Sequence, residues 1–494
     1  MSSYTLGVDI GTYETKGVLV DGDGTIVAKA ARRHDMLVPQ PGWAEHRPEE
    51  DWWGDFVHVC QTILNQSAVA PRDIVAVACS AIGPCMLPVD ANGEPLSNGV
   101  LYGVDTRASA EIAELTADIG ADVILGRCGN ALTSQSVGPK ILWLKRNRPE
   151  IFARAAKIVT STSFLVQRLT GACVIDHYTA ANFAPFYDVE RLDWCFDLSG
   201  DVIDRARLPD LHWTDEIVGT VTPAAAAVTG LAPGTPVTTG TIDAAAEALS
   251  VGVTRPGDMM MMYGSTIFAI QVVANRTRDP RLWYAPWLFE GQHAAMAGLA
   301  TSGTLTHCFR DQFARELDIE TAFAVLTKEA EASQPGAKGL ILLPYFSGER
   351  TPIHDPDAKG VFFGLNLSHE RGDMYRALIE GIAFGTRHMI ETFADIGAAP
   401  VELTAVGGGV QNRLWLQATS DITGLAQVLR QESIGASFGN AMLAAHAAGL
   451  KPMAWQDWNP KSDRMMPCPD PAYDKAYSVF RDIYEATRGI MARL

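Results

Sequence analysis

Two glycine-centred turns, each entered by one apolar strand and left by another, stand about half the chain apart. They are Gly7-Val-Asp-Ile-Gly-Thr-Tyr-Glu-Thr-Lys16 and Met259-Met-Met-Met-Tyr-Gly-Ser-Thr-Ile-Phe-Ala269. Small residues at such a turn let backbone N–H groups face an anion unobstructed. Two turns built alike point to two lobes that clamp a phosphate-bearing ligand. Between them, in Gly240-Thr-Ile-Asp-Ala-Ala-Ala-Glu-Ala248, Asp243 follows a Gly-Thr turn and places a carboxylate near the expected hinge.

At 494 residues the chain is too long for one ordinary core, and the reading is two α/β domains, 1–253 and 254–494. With 47% hydrophobic and 20% charged residues, and no run of the roughly 18–20 apolar residues a spanning helix needs, a soluble globular protein is expected. The N-terminus enters strand-like Tyr4-Thr-Leu-Gly-Val-Asp9 without a signal-peptide pattern, so a cytoplasmic location and no membrane partner are expected. The eight cysteines are scattered and include no Cys-x-x-Cys pair, which fits reduced thiols. A net charge of -17 argues against a nucleic-acid partner, which would draw on clustered Lys and Arg. No Gly-x-x-x-x-Gly-Lys-Ser/Thr loop and no strand-to-helix Gly-x-Gly-x-x-Gly occurs, which removes P-loop and dinucleotide-binding folds.

Thr15–Val20 and Thr25–Ala30, joined by the Asp21-Gly-Asp-Gly24 turn, extend the first strand into an antiparallel meander. A helix is predicted from about Pro48, with Glu49, Glu50 and Asp51 in its first turn and Trp52, Phe56, Val59 and Ile63 on its apolar stripe. Ile74–Ala78 returns as a buried strand, 105–171 reads as mainly helical, and Ile217–Val221 and Pro236–Gly240 lead to Asp243. The second half repeats the opening of the first and runs Leu403-Thr-Ala-Val406 into Gly407-Gly-Gly409 and a helix.

Taken in order, Asp9-Ile-Gly-Thr12, Gly42-Trp-Ala-Glu45 with Trp52 and Trp53, Lys140-Ile-Leu-Trp143, the Asp243 segment, Gly348-Glu-Arg-Thr-Pro352, Gly360-Val-Phe-Phe-Gly-Leu365 and Gly407-Gly-Gly409 resemble the FGGY family of carbohydrate kinases over essentially the whole chain. Within it, Gly348-Glu-Arg-Thr-Pro-Ile-His-Asp-Pro356 and the Trp43 segment are most similar to the xylulokinases. The resemblance implies two actin-like (ribonuclease H-like) domains around an ATP and sugar cleft, with a homodimer as the family expectation. One departure stands out. Where xylulokinases carry a Met-His pair at the sugar site, this chain has Gly83-Pro84, inside Ser80-Ala-Ile-Gly-Pro-Cys85.

Carried onto these positions, the resemblance makes Asp243 the general base that accepts the proton of the attacking hydroxyl. An Asp before Ala-Ala-Ala-Glu also suits a helix N-cap, and the two roles are compatible. Asp9 would help hold Mg²⁺, largely through water. Gly11, Thr12 and Lys16, with Gly264, Ser265 and Thr266, would donate hydrogen bonds to the ATP phosphates. Gly407, Gly408 and Gly409 would bring a helix N-terminus close to the nucleotide, with Asn412, Gln417, Gly439 and Asn440 around the adenosine. Trp43, Glu45, Gly83, Pro84, Tyr102, Asp105, Arg107 and Asp243 would line the sugar site, since a polyol needs charged partners for its hydroxyls and aromatic surface for its apolar faces.

The expected activity is Mg·ATP-dependent phosphorylation of a primary hydroxyl of a small ketose or polyol, a pentulose such as xylulose first. Glycerol-, erythritol-, ribulose- or heptulose-type activity is the alternative within the family. An actin-like ATPase or sugar sensor without sugar turnover is the alternative outside it.

Overall fold

The computed structural model describes residues 3–198, 200–450 and 458–494. The chain forms two compact units. One comprises Met1–Gly252, Tyr284–Ala294 and Ile434–Pro460, the other Val253–Trp283, Ala295–Ser433 and Lys461–Leu494. By packing, Tyr284–Ala294 and Ile434–Pro460, which a division into 1–253 and 254–494 leaves beyond its boundary, join the first unit.

The first unit is built on a mixed sheet. Its strand order is Ile217–Thr220, Pro236–Thr238, Ile74–Ala81, Tyr4–Ile10, Glu14–Asp21 and Ile26–Arg33, with Thr241–Ile242 also paired to Ile74–Ala81. The last three strands form the antiparallel meander, whereas Ile74–Ala81 runs parallel to Tyr4–Ile10. Two glycines let helices touch this sheet, one on each face. A Cβ on Gly17 would lie 2.3 Å from Val59 Cγ1 of the helix Asp55–Ser67, whose buried stripe is Phe56, Val59, Cys60 and Ile63. A Cβ on Gly7 would lie 2.0 Å from the carbonyl of Ser437 in the helix Ala436–Ala447. That helix is buried from Ala436 through Ala445 and has no polar stripe, because it lies between the sheet and the helix Asp243–Ser250. The predicted helix from Pro48 exists, but its opening, Pro48–Gly54, is a wider π-helical stretch before the α-helix begins at Asp55.

The second sheet repeats the first. Its order is Trp283–Pro286, His293–Leu299, Ile267–Val273, Asp258–Tyr263, Glu402–Val406, Gln427–Arg430 and Lys461–Met465. Asp258–Tyr263 pairs antiparallel with Ile267–Val273 and parallel with Glu402–Val406, as Tyr4–Ile10 does with its own two neighbours. The duplication inferred from element order is thus present in the central strands of the two sheets. In each sheet the strand before the glycine turn is central and its end is held on both sides.

Candidate active site

In the first unit, Asp9 closes its strand beside Ser80, its parallel neighbour. The Ser80 hydroxyl donates to Asp9 Oδ1 at 2.6 Å and accepts from Asn440 Nδ2 at 2.7 Å, while the same amide donates to the Val8 carbonyl at 2.8 Å. Asn440 is fully buried on the helix Ala436–Ala447, so the end of the first strand is clamped from a segment over 400 residues away in sequence. The other oxygen of Asp9 accepts no hydrogen bond from any described residue.

Asp243 begins the helix Asp243–Ser250, and its Oδ1 accepts from the Ala244 N–H at 2.7 Å. It retains some exposed surface as a residue, but its carboxyl lies deep. Burial first, and then the Asp9 charge, hold its proton affinity well above the usual carboxylate range. Burial likewise pushes Asp9 up to about 6, against the Ser80 hydrogen bond, and Glu247 up to about 7, with the Asp9 charge adding to it. Three carboxyl groups that would repel one another as ions are therefore gathered here. Such a cluster suits proton acceptance.

Also in the first unit, Arg107 is almost fully buried. Its Nε donates to Asp105 Oδ1 at 2.9 Å, and its NH2 reaches Glu45 Oε1 and Asp105 Oδ2, each at 2.8 Å. The guanidinium lies 4.0 Å over the Trp43 ring and 5.1 Å from that of Trp143. Asp105 Oδ2 also accepts from the Ala44 N–H at 2.7 Å. Lys140, whose proton affinity burial lowers to about 8, donates to the carbonyls of Leu101 and Tyr102 at 2.6 and 3.0 Å. Tyr102 lies beside Thr12 and Asp243, and burial raises its phenol. Gly83 packs on Ile242, where a Cβ would sit 3.2 Å from Cγ1. The structure thus gathers Trp43, Glu45, Asp105 and Arg107 into one ion-paired, stacked cluster.

The second unit holds a cavity of about 780 Å³ lined by Gly264, Ser265, Gly303, His307, Phe323, Thr327, Lys328, Glu331, Gly408, Gly409, Gln411 and Asn412 among others. That volume is ample for a nucleoside. Gly303 has no side chain because a Cβ there would lie 2.4 Å from the Gly264 carbonyl, which also accepts from the Ser302 hydroxyl at 3.1 Å. Gly407 takes a positive φ of 91°, and a Cβ would lie 2.7 Å from the Tyr263 carbonyl. Asn412 caps the helix Arg413–Thr423 by accepting from the Trp415 N–H at 3.1 Å.

Other expected residues are placed as follows. Gly439 and Asn440 do not belong to that cavity. They lie in the first unit, where a Cβ on Gly439 would fall 1.9 Å from the Ala246 carbonyl and the Asn440 amide serves Ser80 and Val8. Gln417 spends its amide on Asp421, at 2.6 Å, and the Met466 carbonyl, so Gln411 takes its place in the lining. Gly11 and Gly264 donate their own N–H groups within their turns, to Glu14 O at 2.9 Å and Thr266 O at 3.1 Å. These bonds shape the turns. Thr266 is not among the lining residues, and half-exposed Lys16 pairs with Glu14 at 3.4 Å. Sequence reasoning gave no site role to Ser80 or Lys140, which it quoted only within motifs, or to Asn98, which donates to Glu45 at 2.9 Å, and Glu247. Glu247 carried a usable signal, since it stands one helical turn beyond Asp243 and shares its face.

A duplicated unit of this topology, with its glycine turn at the end of a central strand, is the actin-like, ribonuclease H-like class. The sequence profile of the FGGY family of carbohydrate kinases matches residues 4–250 with its N-terminal domain and 257–448 with its C-terminal domain. The xylulose kinase of Rhodospirillum rubrum, a solved structure, is 32% identical with a TM-score of 0.92, covering 99% of each chain. The xylulose kinase of Bacillus subtilis is 28% identical across 99% of this chain and 98% of its own, and the gluconokinase of that organism 28% across 91% and 88%. The chain belongs to the FGGY family of carbohydrate kinases and is an ATP-dependent sugar kinase. The ATPase and sugar-sensor alternative falls away with that membership. Among the described residues, no helix is long and apolar enough to cross a membrane.

Proposed function

We propose that the protein transfers the γ-phosphoryl group of ATP to a primary hydroxyl of a pentulose such as xylulose, with Asp243 as general base. The observation that carries this reading is the Asp243 carboxyl, held at a helix start with a proton affinity raised by burial and by Asp9. A base of raised affinity takes the hydroxyl proton more readily than an ordinary aspartate as the oxygen attacks phosphorus in line. Trp43, Glu45, Asp105 and Arg107 orient the sugar, the ion pairs fixing the direction of each polar group and the indole supplying an apolar face. The Thr12 and Tyr13 N–H groups, which have no acceptor among the described residues, and that of Ser265 serve the phosphates. The cavity lined by Gly408, Gln411 and Asn412 takes the nucleoside.

The donor set fits Mg²⁺. Asp9 offers one carboxylate oxygen without a partner, Asp243 lies beside it, and no group of three or more His, Cys, Asp or Glu able to cage a metal occurs among the described residues. Mg²⁺ is commonly held by one or two carboxylates with waters and substrate phosphates. When bound it would neutralise charge developing on the phosphoryl oxygens.

Likeness to the Rhodospirillum xylulose kinase supports the pentulose, and Gly83-Pro84 in place of the xylulokinase Met-His pair favours another member of the family's substrate range. ADP release measured with D- and L-xylulose, D- and L-ribulose, D-gluconate, glycerol and erythritol, beside Asp243→Asn, tests both. The largest kcat/KM for a pentulose, lost in the variant, is the expected result. A preference for gluconate or glycerol overturns the substrate, and full activity in Asp243→Asn overturns the base.

A further inference from the structure

Two histidines behind the first glycine turn play no part in the chemistry above. His34 Nε2 lies 3.0 Å from the Gly11 carbonyl and its Nδ1 2.8 Å from Asp55 Oδ2. His46 Nε2 lies 3.0 Å from the Thr12 carbonyl, and its Nδ1 faces the Trp52 indole N–H at 3.1 Å. The rings meet edge to face with centroids 4.9 Å apart. These partners fix the protonation states. Carbonyls and carboxylates only accept and an indole N–H only donates. His46 satisfies both neighbours only as the neutral Nε2–H tautomer. His34, between two acceptors, satisfies both only as the cation. Burial opposes that charge, but the Asp55 carboxylate and the Gly11 carbonyl prevail and raise its proton affinity above the ordinary value. His46 is pushed down to about 4 by burial and by His34.

In a trans peptide the C=O and the following N–H point in opposite directions. Pinning the Gly11 and Thr12 carbonyls inward therefore aims the Thr12 and Tyr13 N–H groups the other way, and these are the turn's two unpartnered donors. We propose that His34 and His46 are positioning residues for these two amides, and that loss of the His34 proton weakens ATP binding as pH rises. The inference rests on the reading of this turn as a phosphate site. Once neutral, His34 keeps its proton on the Asp55 side, where the acceptor is charged. Its Nε2 lone pair then opposes the Gly11 oxygen. Arg32 Nε sits 3.0 Å from Asp55 Oδ1, and the Thr15 hydroxyl donates to Asp55 Oδ2 at 3.1 Å. The other charged groups around the ring are Asp51, held by Arg47, then Glu49 and Glu50, and Arg33 and Asp35 on its own segment.

The test is KM for ATP and kcat between about pH 6 and about pH 9, for the wild-type protein, His34→Gln, His34→Ala, Asp55→Asn and Thr12→Glu, with melting curves for each. In the wild type KM(ATP) should rise about three- to tenfold with pH, the loss expected for one hydrogen bond in a rigid turn, while kcat changes less. Asp9 and Glu247 also titrate in this window, so the ratio to His34→Gln at each pH isolates His34. Gln keeps a donor for Gly11 without titrating, and KM(ATP) should stay low and flat. His34→Ala should show the high value throughout. Asp55→Asn removes the counter-charge and should move the rise to lower pH by about one unit or more. A wild-type slope retained in His34→Gln, or an unmoved slope in Asp55→Asn, overturns the inference. Thr12→Glu places a carboxylate where phosphates would lie. If it leaves KM(ATP) unchanged, the phosphate reading of the turn fails. If it raises KM(ATP) while His34→Gln keeps the wild-type slope, only the role of the histidines fails.

Discussion

Asp9→Asn should make the protein more stable and inactive at once. Folding carries the Asp9 carboxyl from 3.8 to about 6, chiefly by burial. A shift of roughly 2 units at about 1.4 kcal/mol each makes ionised Asp9 cost the folded state about 3 kcal/mol. The sign is the reverse of the usual aspartate case. With the folded value raised, the contribution of Asp9 to stability is fully present below its unfolded value of 3.8, declines as pH rises toward about 6, and stays at its reduced level above. Asparagine carries no charge and can still accept from the Ser80 hydroxyl through Oδ1. At about 2–4 °C per kcal/mol for a unit of this size, Asp9→Asn should melt up to about 6–12 °C above wild type at alkaline pH. The gain should shrink toward zero in acid, where both states bind the proton. Calorimetry without nucleotide or divalent cation at about pH 8 and about pH 4 reads this, beside an ADP-release assay in which kcat falls by about 10²-fold or more. Asp9→Asn melting no higher than wild type in alkali, or a gain independent of pH, would refute the electrostatic account of the cluster.

Asp243→Asn should lower kcat by about 10²–10⁴-fold with KM(ATP) little changed, as steady-state kinetics will show. In the wild type, kcat should fall as the medium is acidified through the raised proton affinity of Asp243, because the base must be ionised to act; a pH-independent kcat contradicts the assignment. Arg107→Lys keeps the charge but loses the forked contacts to Asp105 and Glu45 and the stacking on Trp43, so KM for the sugar should rise about 10-fold or more while KM(ATP) stays constant. Gly439→Val should fail to accumulate as folded protein, since its Cβ would collide with the Ala246 carbonyl; normal expression and melting would show that the two helices can separate at little cost.

Much of the site was legible because turns and strand ends are local. Asp9, Gly11 and Thr12 announce themselves within four residues, and Asp243 follows its own Gly-Thr signal. Trp43, Glu45, Asp105 and Arg107 were reached differently, through the family resemblance and the charged and aromatic partners that a polyol needs. What stayed hidden depends on pairings that no local pattern carries. Ser80 matters because of the register between Ile74–Ala81 and Tyr4–Ile10, and Asn440 because its helix crosses that strand at Gly7. Gln417 and Gln411 are alike in composition and differ only in which side of a helix start they occupy. His34 and His46 lie at the end of a strand and in a two-residue bridge, where neither periodicity nor charge singles them out.

The helix that crosses at Gly7 also sets an order of events during synthesis. The face it covers includes Val18, Val20, Ala76 and Ala78, which the register places beside Thr5 and Gly7. All four are encoded in the first fifth of the chain, whereas Ala436–Ala447 comes near its end. At roughly 5–20 residues per second, the ribosome needs on the order of 10–40 s to travel from Ser250 to Ala436. Throughout that interval the nascent first unit has every strand of its sheet but lacks one wall of its core. Its last folding step therefore waits for a helix made long after the sheet is complete, and a chain stopped anywhere between those residues lacks that wall.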